Sequence, residues 1–295
     1  MNHSAFERAQ YAIIVSTLLL LAVVALQPIL NLLAISLSDP AVVPSMSGSA
    51  VLPQSPSIEV WKLLLSHPAV RGGLWNSLLI TVVATILNVA VTTAMAWALS
   101  RPALPGRRTL FVLVLVTVVF EPGIIPDYIV MMKFGLLDSY AAVMLYKLVN
   151  AWYLIILVRF FEAVPQDILD AAALDGAGPL RTLVSVVLPL ARPAIVTITL
   201  FYLVYHWNDF LRPMMYLADH DKWPLQVVLR QFVVEGDKTA IVGAAAMSSF
   251  EGASQINMRA FNAAMILLTI APVLLVYPLI LKYFTKGAMS GGMKG

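Results

Sequence analysis

Two groups of polar residues interrupt long apolar stretches of this chain, and their side chains could move protons or bind a hydroxyl-rich ligand. The first group is the acidic pair Glu121 and Asp127, which flanks Pro122 and Pro126. Ionisable groups at membrane depth are costly and usually face a cavity or a partner, and a proline-broken helix can line such a cavity. For Asp127 the sequence favours a position at the outer interface. For Glu121 a cavity and the interface both remain open.

The second group is an unbroken run of aromatic and polar residues from Tyr205 to Asp209. Aromatic rings can cover the apolar C–H faces of a sugar, while Asn, Asp and His can hydrogen-bond its hydroxyls. We therefore predict that His206, Trp207, Asn208 and Asp209 line a carbohydrate path. The alternative is an aromatic belt at the membrane interface, where Trp and Tyr are enriched, and Tyr205 fits this alternative better.

Further polar residues within apolar stretches are weaker candidates for the same path. Tyr128 and Tyr153 are included among the candidate path residues. Hydrogen bonds between helices explain Asn88, Asn150 and Tyr153 equally well.

The chain lacks the common motifs for ATP hydrolysis and metal catalysis. It contains no G-x-x-x-x-G-K-[ST], the loop that cradles phosphates, and no H-E-x-x-H or G-x-S-x-G. It has no Cys, and its four His show no ligand spacing. We therefore predict a protein that is not an enzyme and holds no metal or cofactor of its own.

Composition indicates an all-α protein that crosses a membrane several times. Of 295 residues, 60% are hydrophobic and only 12% are charged, against about 25% charged in a soluble domain. The net charge of +3 is too small to suggest binding to nucleic acid. A spanning helix needs about 20 apolar residues. Six segments qualify, of which the third and fifth are the least regular: Tyr11–Leu37, Leu74–Leu99, Thr109–Met132, Ala142–Phe160, Ile195–Leu217 and Ala260–Tyr283.

Lysine and arginine in short loops predict the orientation. The loop Ser100–Arg108 and the C-terminal tail carry basic residues and no acid, which places both in the cytoplasm. Six spans then put both termini there. The first apolar run exceeds the roughly 7–15 residues of a signal-peptide core, so we expect a retained span. The segments Ser38–Gly73 and Ala218–Arg259 face outward.

The segment Asp170–Pro193 lies between two apolar runs and reads DAAALDGAGPLRTLVSVVLPLARP. Pro165 can begin a helix at its first position, and small alanines allow another protein to approach the helix closely. Gly176 and Gly178 supply a turn in which the backbone can adopt positive φ. Helix, glycine break and second helix together predict a docking surface on the cytoplasmic face.

This segment resembles the "EAA" coupling loop of binding-protein-dependent ABC importers, whose pattern is roughly E-A-A-x-x-D-G-A, then G, then L-P-L-x-x-P. Here Asp170 stands where that family usually has Glu, which keeps the charge and shortens the reach by one methylene. The resemblance assigns coupling to an ATPase to nine residues: Asp170, Ala171, Ala172, Ala173, Leu174, Asp175, Gly176, Ala177 and Gly178.

Other segments resemble carbohydrate-uptake permeases similar to the second permease of maltose importers. They read GIIPDYIV from Gly123, YHWNDF from Tyr205, WPLQVVLR from Trp223, YPLILKYFTKG from Tyr277, and GMKG at the C-terminus. The resemblance implies a type I importer permease with six transmembrane helices. Its parts would be a first helix and outer loop (1–73), a five-helix core (74–284) and a cytoplasmic tail (285–295). The core would carry the coupling loop at about 161–193 and an outer loop at about 218–259.

The same resemblance implies a complete importer in a bacterial cytoplasmic (inner) membrane. Its parts would be a second, homologous permease, an ATPase dimer holding ATP and Mg, a periplasmic solute-binding protein and membrane lipid. The cargo would be an oligosaccharide, and alginate or another uronate oligomer is one candidate. Because the outer segments carry interspersed acids and bases, their charge does not decide whether the cargo is acidic.

Two other classes of function remain as alternatives. A secondary transporter could couple transport to protons through Glu121, although no inverted repeat is evident. An intramembrane enzyme could use Glu121 and Asp127 as an acid pair, but two prolines between them make a shared site doubtful.

Overall fold

The computed structural model describes the backbone of residues 5–234 and 257–291 and the side chains of residues 10–234 and 257–278. Parts of the predicted outer loop (235–256) and of the tail (292–295) lie outside the described residues. The described chain is helical and has no strand, which confirms the predicted class. The helices are α1 Ala5–Ser36, α2 Glu59–Ser66, α3 Pro68–Ser100, α4 Arg107–Val119, α5 Ile124–Lys133, α6 Tyr140–Leu145, α7 Ala151–Glu162, α8 Gln166–Leu174, α9 Pro179–Leu190, α10 Arg192–Asn208, α11 Leu211–Tyr216, α12 Leu225–Val234 and α13 Met258–Gly291.

Three described helices are each long and apolar enough to cross a membrane unaided: Gln10–Ser36, Pro68–Ser100 and Met258–Pro278. They correspond to the first, second and sixth predicted spans. The pair α9 and α10 passes the same test as a single span bent by 86°. The sharp bend separates α9 from α10, the helix that contains most of the predicted fifth span.

The predicted third, fourth and fifth spans are each broken into two helices, so six spans do not correspond to six single helices. The third breaks between Val119 and Ile124, and the fifth between Asn208 and Leu211. We predicted irregularity in both of these spans. The break in the fourth, between Leu145 and Ala151, was not predicted.

The break in the fourth span has a local cause in the sequence. The side chain of Asn150 caps α7 by accepting hydrogen bonds from the amides of Trp152 and Tyr153, at 3.0 and 3.3 Å. An Asn at this position favours the start of a new helix over the continuation of an old one. The preceding helix ends at Leu145, where Tyr146 turns out of the helix with a ψ of 127°. Lys147 follows with a φ of +47°, which is uncommon for a residue other than glycine.

The described chain divides into two compact units, one of residues 1–71 and 228–272 and the other of residues 72–227 and 273–295. In the first unit, the start of α13 is tied to the loop after α1. Asn257 donates to the carbonyl of Pro40 at 3.0 Å, and Arg259 donates to the carbonyl of Met46 at 3.0 Å.

The second unit contains two buried clusters of apolar side chains. One joins α3, α7 and α10 around residues such as Leu99, Phe161 and Tyr202. The other joins α3, α6 and α11 around Ile80 and Tyr216. The first cluster also receives side chains from α8 and α9, so the candidate docking segment is anchored in the core of this unit.

Candidate functional site

The segment formed by α8 and α9, hereafter the coupling segment, turns sharply after Leu174. The amide of Ala177 donates to the carbonyl of Ala172 at 2.9 Å, and that of Gly176 to Ala173 at 3.0 Å. These two bonds form a Schellman motif, which requires the left-handed conformation at the residue after the helix. Gly176 has a φ of +75°. The positive φ predicted from the sequence is therefore confirmed at Gly176, whereas Gly178 has a φ of −68°.

The turn presents two large apolar side chains to the outside. Leu174 is 89% exposed and Leu180 is 73% exposed, on either side of the turn. Asp170 is also exposed and accepts a hydrogen bond from the side chain of Gln166 at 2.8 Å, one helical turn earlier. Large exposed apolar side chains can contribute to a contact with another protein.

The opposite face of the coupling segment is buried in the bundle. Leu169 of α8 and Leu183 and Val187 of α9 belong to the same cluster as Leu99 of α3 and Phe161 of α7. Because protein interiors are close-packed, a displacement of the coupling segment must be passed to these helices. The segment therefore has one exposed face and one face that packs in the core of this unit.

The end of α7, directly before the coupling segment, is held by charged groups. Glu162 forms ion pairs with Arg107 at the start of α4 and with Arg159, the latter at 2.9 Å. Arg107 also donates to the backbone carbonyl of Leu99 at 2.7 Å. These bonds join the ends of α3, α4 and α7.

The breaks in the third and fourth spans lie together and enclose a cavity of about 470 Å³. The side chains of Glu121 and Lys147 form an ion pair at its wall, and each comes from one of the two breaks. Asp127 and Asn150 also line the cavity. Irregular backbone at membrane depth is found where it lines a cavity, which is one of the two positions that the sequence left open for Glu121.

A second charged group lies beside this cavity. The guanidinium of Arg212 stacks on the ring of Tyr146 at 3.8 Å and donates to its hydroxyl at 2.6 Å. Asp209 forms an ion pair with Arg212 at 3.7 Å. Tyr146 lines the cavity, and Arg212 stacks on the ring of Tyr146. Asp209 balances the charge of Arg212 and so supports this wall indirectly.

Several buried polar atoms near this wall have no hydrogen-bond partner within the described residues. They are the hydroxyls of Tyr205 and Tyr216 and the Nε of Arg212. Such groups normally bond to protein, water or ligand. These atoms lie behind the residues that line the cavity, in a polar layer that the described residues do not fully satisfy.

Asn88 joins three of the predicted spans. Its Nδ2 donates to the carbonyls of Lys147 and Leu148, at 3.1 and 2.9 Å, and its Oδ1 lies 2.9 Å from Nε2 of His206. Asn88 and His206 are both buried. The interpretation of Asn88 as a hydrogen-bonding group between helices therefore fits its contacts, and His206 serves as its partner away from the cavity.

The remaining predicted path residues are dispersed among the cores and the surface. Tyr128 packs on Tyr216 with ring centroids 6.2 Å apart, and Tyr153 packs on Tyr202 at 4.9 Å. Trp207 is buried, with 3% of its surface exposed. Asn208 is exposed and donates to the carbonyl of Val204 at 2.8 Å. Their role in a transport path stays a prediction, and the structure adds Tyr146 and Lys147 as residues that the sequence reasoning did not select.

Replacing Asn88 by alanine should destabilise this unit. It would leave two partly buried carbonyls and one buried imidazole nitrogen without their partner, and a buried polar group that loses its partner costs about 1–3 kcal/mol. Thermal unfolding in detergent, followed by size-exclusion chromatography, would measure the change. Asn208→Ala is the matched control because that amide is exposed. Equal midpoints for the two variants would contradict the role given to Asn88.

The chain is similar to known membrane components of transport systems. The family described as "binding-protein-dependent transport system inner membrane component" matches residues 14–289. The polygalacturonan/rhamnogalacturonan transport permease YtcP of Bacillus subtilis is 36% identical over 94% of this chain and 96% of its own. The trehalose/maltose permease MalG of Thermococcus litoralis is 26% identical over 94% of each chain. In a bacterial ABC transporter that imports the acidic polysaccharide alginate, one solved chain superposes with a TM-score of 0.89, at 29% identity, over 96% of this chain and 99% of that one. The chain belongs to the family of inner membrane components of binding-protein-dependent transport systems.

Proposed function

We propose that this chain is one of two permease subunits of an ATP-driven importer of acidic oligosaccharides, working by alternating access. The observation that carries the proposal is the coupling segment. It offers exposed Leu174 and Leu180 to a partner and buries Leu169, Leu183 and Val187 in the bundle. A partner that moves the exposed face thereby moves the helices that surround the cavity.

The partner at the coupling segment would be a separate ATPase subunit that holds ATP and Mg. The chain itself has no phosphate-cradling loop. Arg101 lies in the short loop between α3 and α4, and Arg107 and Arg108 begin α4, which supports a cytoplasmic position for this end of the bundle. A second permease would complete the pore, and a periplasmic binding protein would deliver the cargo to the other end.

Acidic cargo is supported by two similar proteins and by one cation in the cavity. The relatives named above transport polygalacturonan/rhamnogalacturonan and alginate. In this chain Lys147 is the cation on the cavity wall, with Glu121 as its partner. The side chain of Glu121 is 61% exposed, so it can turn away when a uronate carboxylate approaches. The exchange replaces one carboxylate by another and leaves the charge around Lys147 unchanged.

ATP hydrolysis in proteoliposomes would test the whole proposal. The vesicles would contain this chain, its partner permease and the ATPase, with binding protein either empty or loaded from a panel of neutral and uronate oligosaccharides. Stimulation by a uronate oligosaccharide is the expected result. Stimulation by neutral sugars alone would contradict the acidic cargo, and an intact complex that no sugar stimulates would contradict carbohydrate import.

The same vesicles separate this function from proton-coupled transport through Glu121. An ATP-driven importer should keep its uptake when a protonophore collapses the proton gradient, provided that ATP is enclosed. Uptake that persists without the ATPase subunit and stops with the protonophore would favour the secondary transporter. Family membership supports the importer, because the family is defined by binding-protein-dependent transport.

A further inference from the structure

A second cavity lies where the ends of α3, α4 and α7 meet. Its volume is about 580 Å³. Four charged side chains line it, Arg107, Arg108, Arg159 and Glu162. Its other wall is apolar and includes Leu104, Phe111 and Val112.

The charges of this cavity do not balance. Among the described residues, Glu162 is the only acid in the lining, and it is shared between Arg107 and Arg159. Arg108 is exposed and makes no ion pair within the described residues. The lining therefore carries an excess of two positive charges, which favours an anionic ligand.

The apolar wall continues from the charged end along α4. No residue of this helix is buried, and Val112 is 50% exposed. The guanidinium of Arg159 lies 5.9 Å from the centre of the Phe111 ring, where the charged and apolar parts meet. A small soluble anion would make no contact with the apolar wall, whereas an amphiphile with an anionic headgroup would contact both the charged end and the apolar wall.

We propose that this cavity binds the headgroup of an anionic phospholipid. Arginine is well suited to bind a phosphodiester because its donors form a planar fork. Arg108 and Arg107 would bind the phosphate oxygens, and an acyl chain would run along Phe111 and Val112. Basic cavities between helix ends at a membrane surface are a recognised way to bind such lipids. The inference does not depend on the nature of the transported cargo.

The experiment uses the assembled importer, purified in detergent and supplied with phosphatidylglycerol or phosphatidylcholine. Native mass spectrometry would count the lipid molecules that remain bound. We expect Arg108→Gln to lower retained phosphatidylglycerol at least fivefold, and Arg108→Lys to keep most of it. Arg192→Gln is the matched control, because Arg192 is exposed at the start of α10 and does not line the cavity.

Three outcomes would overturn the proposal. Equal retention of phosphatidylglycerol by the wild type and Arg108→Gln would mean that lipid binds elsewhere. Displacement by millimolar inorganic phosphate would point to a site for a soluble anion. Binding to this chain alone, but not to the assembled importer, would mean that a partner subunit covers the cavity.

Discussion

Gly176→Val is expected to lower ATP hydrolysis stimulated by loaded binding protein at least tenfold in the reconstituted importer. The residue has a φ of +75°, which valine adopts only with strain. A Cβ at this position would meet nothing within 4 Å in the chain itself. The expected loss therefore comes from the backbone turn, with any steric block supplied by the docked partner.

Two further variants separate these causes. Gly176→Asn keeps the left-handed turn more easily, because asparagine tolerates that conformation. Activity of Gly176→Asn near wild type would assign the loss to the turn, and equal loss in both variants would assign it to the docking surface. Gly135→Val is the matched control, since Gly135 also has a positive φ (+66°) and open space but lies outside the coupling segment. Full activity of Gly176→Val would refute the role of the turn.

Lys147→Glu is expected to abolish uptake of uronate oligosaccharides while the importer still assembles. The change replaces the cation on the cavity wall by an acid that faces Glu121, so both the ion pair and the attraction for a carboxylate are lost. Uptake of labelled uronate oligomers into vesicles would measure the effect, and co-purification of the ATPase would report assembly. We expect Lys147→Arg to retain uptake because it keeps the charge.

The exchanged pair Glu121→Lys with Lys147→Glu tests what the ion pair does. If the pair only ties the two helix breaks together, restoring it in reverse should restore uptake fully. Our proposal predicts incomplete recovery, because the cation would then stand on the other wall of the cavity. Lys62→Glu is the control for a general effect of charge, since Lys62 is exposed on α2, far from this cavity in sequence. Equal uptake by Lys147→Glu and wild type would remove Lys147 from the transport path.

The coupling segment was the part of the molecule whose local structure the sequence predicted best. Helix-forming alanines followed by Gly176 predicted a helix and a turn of positive φ, and both are present. These features are set by neighbouring residues, so local rules suffice. The angle of the 86° bend between α9 and α10 was not predicted from the sequence; the bend occurs at Ala191, which is buried in the core with other helices.

The broken spans mark the limit of reasoning from hydropathy. Pro122 and Pro126 predicted an irregular third span, because proline in a helix interior breaks or kinks the helix. The fourth span carried no proline and is apolar apart from Lys147, Asn150 and Arg159. Its only local signal was Asn150, a helix-capping residue that we had considered for the transport path. Lys147 was missed for the same reason, since its position on a cavity wall follows from that break.

The polar run near the end of α10 was predicted as one site and is divided by the helix. Successive residues of a helix point in different directions, so His206 faces Asn88 while Asn208 is exposed. Asp209, just beyond the helix, pairs with Arg212. The residue types were informative about chemistry, but only the packing of three helices assigns each side chain to core, cavity wall or surface.

The hydrogen bonds of Asn88 have a consequence for how the bundle can change shape. One buried side chain holds the break of the fourth span and the end of α10 to the middle of α3. Sliding of any of these helices past the others would break several bonds at once, whereas a common rotation about this point breaks none. We therefore expect the three segments to move together around Asn88. During a transport cycle, distances between spin labels near it should stay constant, while those from α3 to the coupling segment change most.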